Sequence, residues 1–301
     1  MDPMRVIDWL EWRLACRLNR PLPWRSEPPA PATFTCGAGV DVLASAFDLP
    51  SPELCVVITT YARVAACDAL LRGLAASLER AGLSGRCFVV IVEDRSDHDY
   101  APVRETLERD FGARFVLYTS SRRLAKPGRW LTYQRAFDVV RRLRPSFTLF
   151  LEDDAVLGLG FVADALAAWR GIDDPQKAVL YLCSFDDDEQ NGRWVDFARR
   201  PASDRRVRLT QWFDLHAFLV DASFFECLGY RMLVPPASRW QARPQRSSGV
   251  SEQFTRRLFG RKNVYQVVET LARHGGLPSV LNQEARAERA LDNTRASDRV
   301  D

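Results

Sequence analysis

FTLFLEDDAVL, residues 147–157, is the stretch on which the reading of this 301-residue chain turns. Its opening is apolar except for Thr148, and it runs without a break into Glu152, Asp153 and Asp154. Carboxylates crowded at the end of a buried strand repel one another where water screens them poorly, so they are costly to leave unpaired. A divalent cation removes that cost. Oxygen ligands at this density suit Mg2+ or Mn2+, which keep coordination positions for substrate phosphates. The plainer alternative is an acidic turn in solvent, and the surrounding pattern weighs against it.

Upstream, LCVVITT (54–60) reads as a strand, followed by Val64, Cys67, Leu71, Leu74 and Leu78 on one helical face. CFVVIVED (87–94) is a second strand, and Val103, Leu107 and Phe111 mark a second helix. RFVLYTS (114–120) is a third strand, Trp130, Tyr133, Phe137 and Val140 mark a third helix, and 147–154 becomes the fourth strand. Strands that are apolar throughout and separated by helices indicate an α/β fold, a mostly parallel sheet flanked by helices. Ligands in such sheets bind beyond the carboxyl ends of the strands. Those ends carry Thr59-Thr60-Tyr61, Glu93-Asp94 and Glu152-Asp153-Asp154.

Composition is that of an ordinary globular chain, 47% hydrophobic and 27% charged, large enough for one substantial core. No apolar run approaches the ~20 residues that span a bilayer. The N-terminus lacks a small-residue cleavage site, which points to a cytoplasmic protein. Seven cysteines without CxxC spacing read as buried thiols, not as a zinc site. Lys126, Lys177 and Lys262 are the only lysines among 42 basic residues. The arginine excess reflects either genome composition or bidentate phosphate recognition.

Residues 4–18 carry Val6, Ile7, Leu10, Leu14 and Leu18 at helical spacing. That helix docks on the domain, mediates self-association, or lies on the inner membrane face with Trp9 and Trp12 as anchors. A proline-rich connector follows. The expected organisation is helix and connector over 1–35, the main domain over 36–283, and a charged tail over 284–301. Within the main domain, a nucleotide-binding half covers about 53–157 and an acceptor half about 158–283.

In order, CVVITTYAR (55–63), CFVVIVEDRSD (87–97) and FLEDDAVL (150–157) resemble the GT-A fold glycosyltransferases of the nucleotide-diphospho-sugar transferase superfamily. The pattern is similar to the family two inverting transferases and covers about 53–283. The resemblance implies a Rossmann-like nucleotide-binding half, a smaller acceptor half, a nucleoside-diphosphate sugar as donor (a UDP-sugar favoured), and Mn2+ or Mg2+. Thr59, Tyr61 and Arg63 match the turn that holds the nucleoside, with Ala62 in place of the family's usual Asn. Asp94 matches the base-binding Asp, followed by Ser96 and Asp97. Asp154 is the implied metal ligand, Asp153 meets the ribose or donor sugar, and Glu152 stays unassigned. His274, in RHGGLPSVLN (273–282), matches the histidine that closes the metal shell from a C-terminal strand, and its two glycines allow close backbone approach; the alternative is a structural histidine.

In SRRLAKPGRWLTYQRAF (121–137), Lys126, Gly128 and Arg129 are expected just before the third helix, where amides and the helix dipole favour anions. Lys126 and Arg129 contact the diphosphate in that reading, and are solvated charges otherwise. SSGVSEQFTRRLF (247–259) resembles the acceptor-side helix, which makes Glu252 the candidate general base; Gln253 stands where the family has Asp, and helix capping is the alternative. FDDDEQNGRW (185–194) reads as a solvated loop, or brings Asp186 or Asp187 to the sugar.

Three other functions compete. A nucleotidyltransferase would need glycines after the first strand, and TTYARVAAC (59–67) lacks them. A degenerate GT-A binding protein would have no use for an intact acidic triplet. A DNA glycosyltransferase acting on a hydroxylated base would use the arginine-dense stretches 199–208 and 239–246 on phosphates, although they lack the aromatic interleaving of a single-strand binder. A saccharide or lipid-linked glycan is the leading acceptor.

Overall fold

The computed structural model describes residues 3–22, 32–45, 49–184, 206–210, 212–236, 238–241 and 247–275. The four strands read from the sequence are β2 (Leu54–Thr60), β3 (Cys87–Glu93), β4 (Phe115–Ser120) and β5 (Phe147–Glu152), and every residue of β2 and β3 is buried. Their parallel register pairs Thr59 with Glu152 on one side and Thr60 with Glu93 on the other. Three polar strand ends therefore stand in one row, at the edge where such sheets bind ligands.

The full sheet has nine strands in the order β1-β4-β3-β2-β5-β9-β7-β10-β8, adding β1 (Phe34–Gly39), β7 (Lys177–Tyr181), β8 (Val207–Thr210), β9 (Ala217–Asp221) and β10 (Asn263–Val267). Six strands share one direction, and β1, β8 and β9 oppose it. The sheet is thus mostly parallel, as expected. Strand β1 begins inside the span expected to be connector. It is a half-exposed edge strand with two glycines, so it lacks the continuous apolar run that marks the others. A Cβ at Gly39, where φ is +79°, would lie 2.2 Å from the Phe115 carbonyl oxygen. Only glycine allows that approach.

Alternation along each strand fills two cores. On β2, Leu54, Val56 and Ile58 pack with α2 (Val64–Arg80), α3 (Ala101–Phe111) and α5 (Phe161–Arg170). Cys55 and Val57 face the other side, with α4 (Ala125–Leu143), α6 (Ala222–Leu228) and α8 (Val250–Leu258). That second core is aromatic: Phe150 stacks on Phe218 at 4.7 Å, and Phe137 on Phe254 at 5.9 Å.

Helix α1 (Pro3–Leu18) docks. Trp12, Ala15 and Cys16 are buried with Leu233, and the guanidinium of Arg239, on the short helix α7 (Ser238–Gln241), sits 5.3 Å over the Trp12 ring. The expectation that Trp12 anchors the helix to a membrane is corrected here, because its indole is 1% exposed and faces the protein. Trp12→Ala is expected to cost about 3–5 kcal/mol, as for other buried tryptophans. Chemical denaturation of the pure variant measures it; a loss below about 1 kcal/mol would mean α1 is only loosely attached. No helix among the described residues is long and apolar enough to cross a membrane.

Candidate metal and nucleotide site

A cavity opens at the row of strand ends. Thr59, Tyr61, Arg63, Asp94, Lys126, Arg129, Asp153, Asp154 and His274 all line it, nine residues singled out from the sequence. Glu152, Asp214 and Ser251 line it too. Ser96 does not: its amide and hydroxyl both donate to Glu93. Asp97 is exposed, away from the cavity. Asp186 and Asp187 lie outside the described residues, as do most of 199–208, most of 239–246 and the tail 284–301.

The two aspartates of the triplet do different work. Asp153 Oδ2 accepts from Thr60 Oγ1 at 2.9 Å and from the Tyr61 amide at 3.1 Å, and Oδ1 pairs with Arg63 at 3.2 Å. Asp153 thus fixes the turn after β2. Asp153 also lines the cavity, where contact with the ribose or donor sugar, directly or through water, is the expectation; both its oxygens already serve this turn. Burial pushes its pKa up to about 6, and Arg63 works against that rise. The same turn holds Ala62 at φ 59°, a left-handed conformation that asparagine adopts more readily than alanine.

Asp94 spends one carboxylate oxygen on the Leu124 amide and the other on the Ala125 amide, at 2.9 Å. It therefore anchors the start of α4 while lining the cavity. Helix α4 begins at Ala125, so Lys126 is its second residue and Arg129 its fifth, both inside the helix rather than just before it. Pro127 explains the shift, since proline in a first turn sacrifices no helical hydrogen bond. Arg129 pairs with Glu152. Burial works against the Glu152 charge, but Arg129 outweighs it and holds the carboxyl below its ordinary pKa.

Beyond this pair lies the densest group. Ligand atoms of Glu152, Asp154, His216 and His274 all fall within 4.8 Å of one another. His274 Nε2 is 3.3 Å from Asp154 Oδ2, and His216 Nδ1 is 3.8 Å from Asp154 Oδ1. The two imidazoles stack at 4.9 Å. Strand topology builds this group. β11 (Ala272–His274) pairs antiparallel with β6 (Ala155–Leu157), with His274 opposite Ala155. The Gly275 amide donates to the Asp154 carbonyl at 2.8 Å, and a Cβ there would come within 2.9 Å of that oxygen. His216 arrives from the other side, because β9 runs antiparallel beside β5 and the Glu152 amide donates to the His216 carbonyl at 2.9 Å.

Among the described residues, Asp154 Oδ1 and both His216 ring nitrogens are buried without a hydrogen-bond partner. Leaving such atoms unpaired costs about 1–3 kcal/mol each. A divalent cation would satisfy them together, so the donor set fits a metal. Two imidazoles beside two carboxylates tilt the choice from Mg2+ toward Mn2+ or a neighbouring transition metal. His216 was not foreseen. Its only signal in the sequence is a rare histidine leading into the apolar run AFLV (217–220), which does not say what that run pairs with.

Glu252 lies outside this cavity and lines an adjacent groove. Its Oε2 pairs with Arg239 at 2.8 Å and its Oε1 with Arg256 at 2.9 Å. Both carboxylate oxygens are taken up by guanidiniums outside the cavity, so the expected general base is here a structural ion pair. Arg239 is 7% exposed and engaged with Glu252, Ser247 and Trp12, which removes it as a surface phosphate grip.

Neither a family model nor a curated protein matches the sequence. Among solved structures, the mannosyltransferase PcManGT from Pyrobaculum calidifontis, in complex with GDP-Man and Mn2+, is similar with a TM-score of 0.52 at 14% identity, over 95% of this chain and 70% of that one. Residues 1–349 of S. aureus TarS, in complex with UDP-GlcNAc, match with a TM-score of 0.46 at 15% identity, over 76% of this chain and 62% of that one. This chain thus spans less than two thirds of that part of TarS. Likeness at such identity concerns the fold, and the fold is GT-A, in line with the strand pattern.

Proposed function

We propose that this GT-A chain is a metal-dependent glycosyltransferase, moving a sugar with inversion from a nucleoside-diphosphate sugar to an acceptor hydroxyl. One observation carries the reading: Asp154, which lines a cavity with Arg63, Lys126 and Arg129, shares with the adjacent His216 three buried ligand atoms that have no hydrogen-bond partner among the described residues. That pairing of a cation site with phosphate-binding cations suits a diphosphate. A protein of the same fold, PcManGT, holds GDP-Man and Mn2+.

In this reading Asp154, His216, His274 and Glu152 hold the ion. The ion, when bound, would neutralise charge on the departing diphosphate. Lys126 and Arg129 meet the phosphates near the start of α4, where helix amides favour anions. Thr59, Tyr61, Arg63 and Asp94 cradle the nucleoside, with UDP the preferred carrier. On the acceptor side an inverting displacement asks for one base. Asp214 is the candidate: it is the exposed carboxylate of the cavity and has no arginine paired to it among the described contacts, whereas the others are buried or ion-paired. A saccharide or lipid-linked glycan is the proposed acceptor. Nothing among the described residues adds to the DNA reading, since Arg239 is turned inward.

Calorimetry with UDP and GDP, with and without Mn2+, tests the proposal. Binding is expected only with the metal. Equal affinity in its absence would sink the reading. His216→Ala is expected to weaken Mn2+ affinity by about 10–100-fold, the range for lost support of a metal site. Direct Mn2+ titration reads this without any turnover, and unchanged affinity would return His216 to a structural part.

A further inference from the structure

A helix with one face docked and a second apolar face outward leaves that second face in need of a partner. Helix α1 is such a helix. Ile7, Leu10, Leu14 and Leu18, spaced three and four residues apart, are between 43% and 52% exposed. Phe259, just past α8, is 69% exposed. These five are most of the seven large apolar side chains exposed among the described residues. Leu14 and Phe259 line one open groove of about 940 Å³ between α1 and α8. Its walls carry Arg13, Arg17, Arg256 and Arg261 against the single acid Glu252, already held by Arg239 and Arg256.

We propose that this face docks α1 flat on a bilayer surface bearing anionic phospholipid headgroups. The leucine stripe and Phe259 enter the acyl boundary, and Arg13, Arg17 and Arg261 pair with lipid phosphates. Charge complementarity selects this occupant. A second copy of the chain would bring the same arginine rim against its own, and a nucleic acid would have no use for the leucines. Arginine matches phosphate bidentately, and each basic residue near an anionic leaflet strengthens partitioning by about fivefold. The surface is also continuous with the chemistry. Helix α8 carries Ser251 in the wall of the metal cavity and Glu252 and Thr255 in the wall of the groove. An acceptor held in lipid would reach the donor along one helix. That last step rests on the proposed glycosyl transfer; the docking itself does not.

Flotation of the full chain with phosphatidylcholine vesicles, with and without phosphatidylglycerol, is the test. The protein is expected to float with the anionic vesicles, at least about tenfold better than with neutral ones, and high salt should release it. Leu10→Glu with Leu14→Glu should cut flotation by at least about tenfold while the melting temperature stays put, since both side chains face solvent. Arg13→Glu with Arg17→Glu should do the same and flatten the salt dependence. Mn2+-dependent UDP binding should persist in all these variants, which separates a failure of docking from a failure of the transferase reading. No flotation, or equal flotation on both vesicles, overturns the proposal. So does a concentration-dependent dimer that Leu14→Glu dissolves, which would make the stripe an interface between copies.

Discussion

Asp154→Asn is expected to reduce metal-dependent sugar transfer by on the order of 10³-fold. A metal supplies several kcal/mol of charge stabilisation to a departing phosphate, and each ~1.4 kcal/mol is a factor of ten in rate. Asp154 stands at the centre of the cluster, 3% exposed, with Oδ1 unpartnered and Oδ2 shared between Arg63 and His274. Asparagine keeps the shape and removes one charge. Arg63 still has Asp153 as partner at 3.2 Å, so the turn after β2 should hold and the melting temperature should change little. Nucleoside-diphosphate release across a Mn2+ series measures the effect. Turnover within twofold of the parent chain would show that the cluster is not where the metal acts.

Asp214→Asn is expected to slow transfer by about 10²–10⁴-fold, the usual contribution of a positioned base, while leaving Mn2+ and UDP binding intact. Asp214 is neither in the group of potential metal ligands nor in an ion pair among the described residues, so its loss should touch the chemical step alone. Glu252→Gln gives the contrast. Removing that carboxylate strands Arg239, whose side chain is 5% exposed, beside Trp12. Breaking a buried pair from one side costs about 3–5 kcal/mol, so this variant should lose stability and keep its per-molecule rate within a few-fold. Single-turnover rates corrected for folded fraction separate the two. If Glu252→Gln is the slow enzyme and Asp214→Asn the normal one, the assignment of the base is reversed.

Much of the site was legible because its parts are local. Thr59, Arg63, Asp94, Lys126 and Asp154 all follow buried strands or open a helix, and the ends of parallel strands must lie side by side once their register is set. His274 could be matched through its two glycines, one of which the structure uses for close approach to Asp154. Lys126 and Arg129 lie inside α4 and not ahead of it, since the start of a helix is blurred in sequence where proline is tolerated.

By itself, the sequence determined the α/β class, the row of polar strand ends and the acidic triplet. These follow from hydrophobic periodicity within stretches of ten to twenty residues, where each residue's environment is dictated by near neighbours. Tertiary structure alone decided four things. It inserted β9 antiparallel between β5 and β7, which brings Asp214 to the cavity wall and His216 beside Asp154 from more than fifty residues away. It paired Glu252 with Arg239 and Arg256 outside the cavity, and it turned Trp12 inward while leaving the leucines of α1 outward. Which strand joins which edge, and which face of a helix docks, depend on packing summed over the whole sheet and both its cores, and no local window of sequence contains that sum.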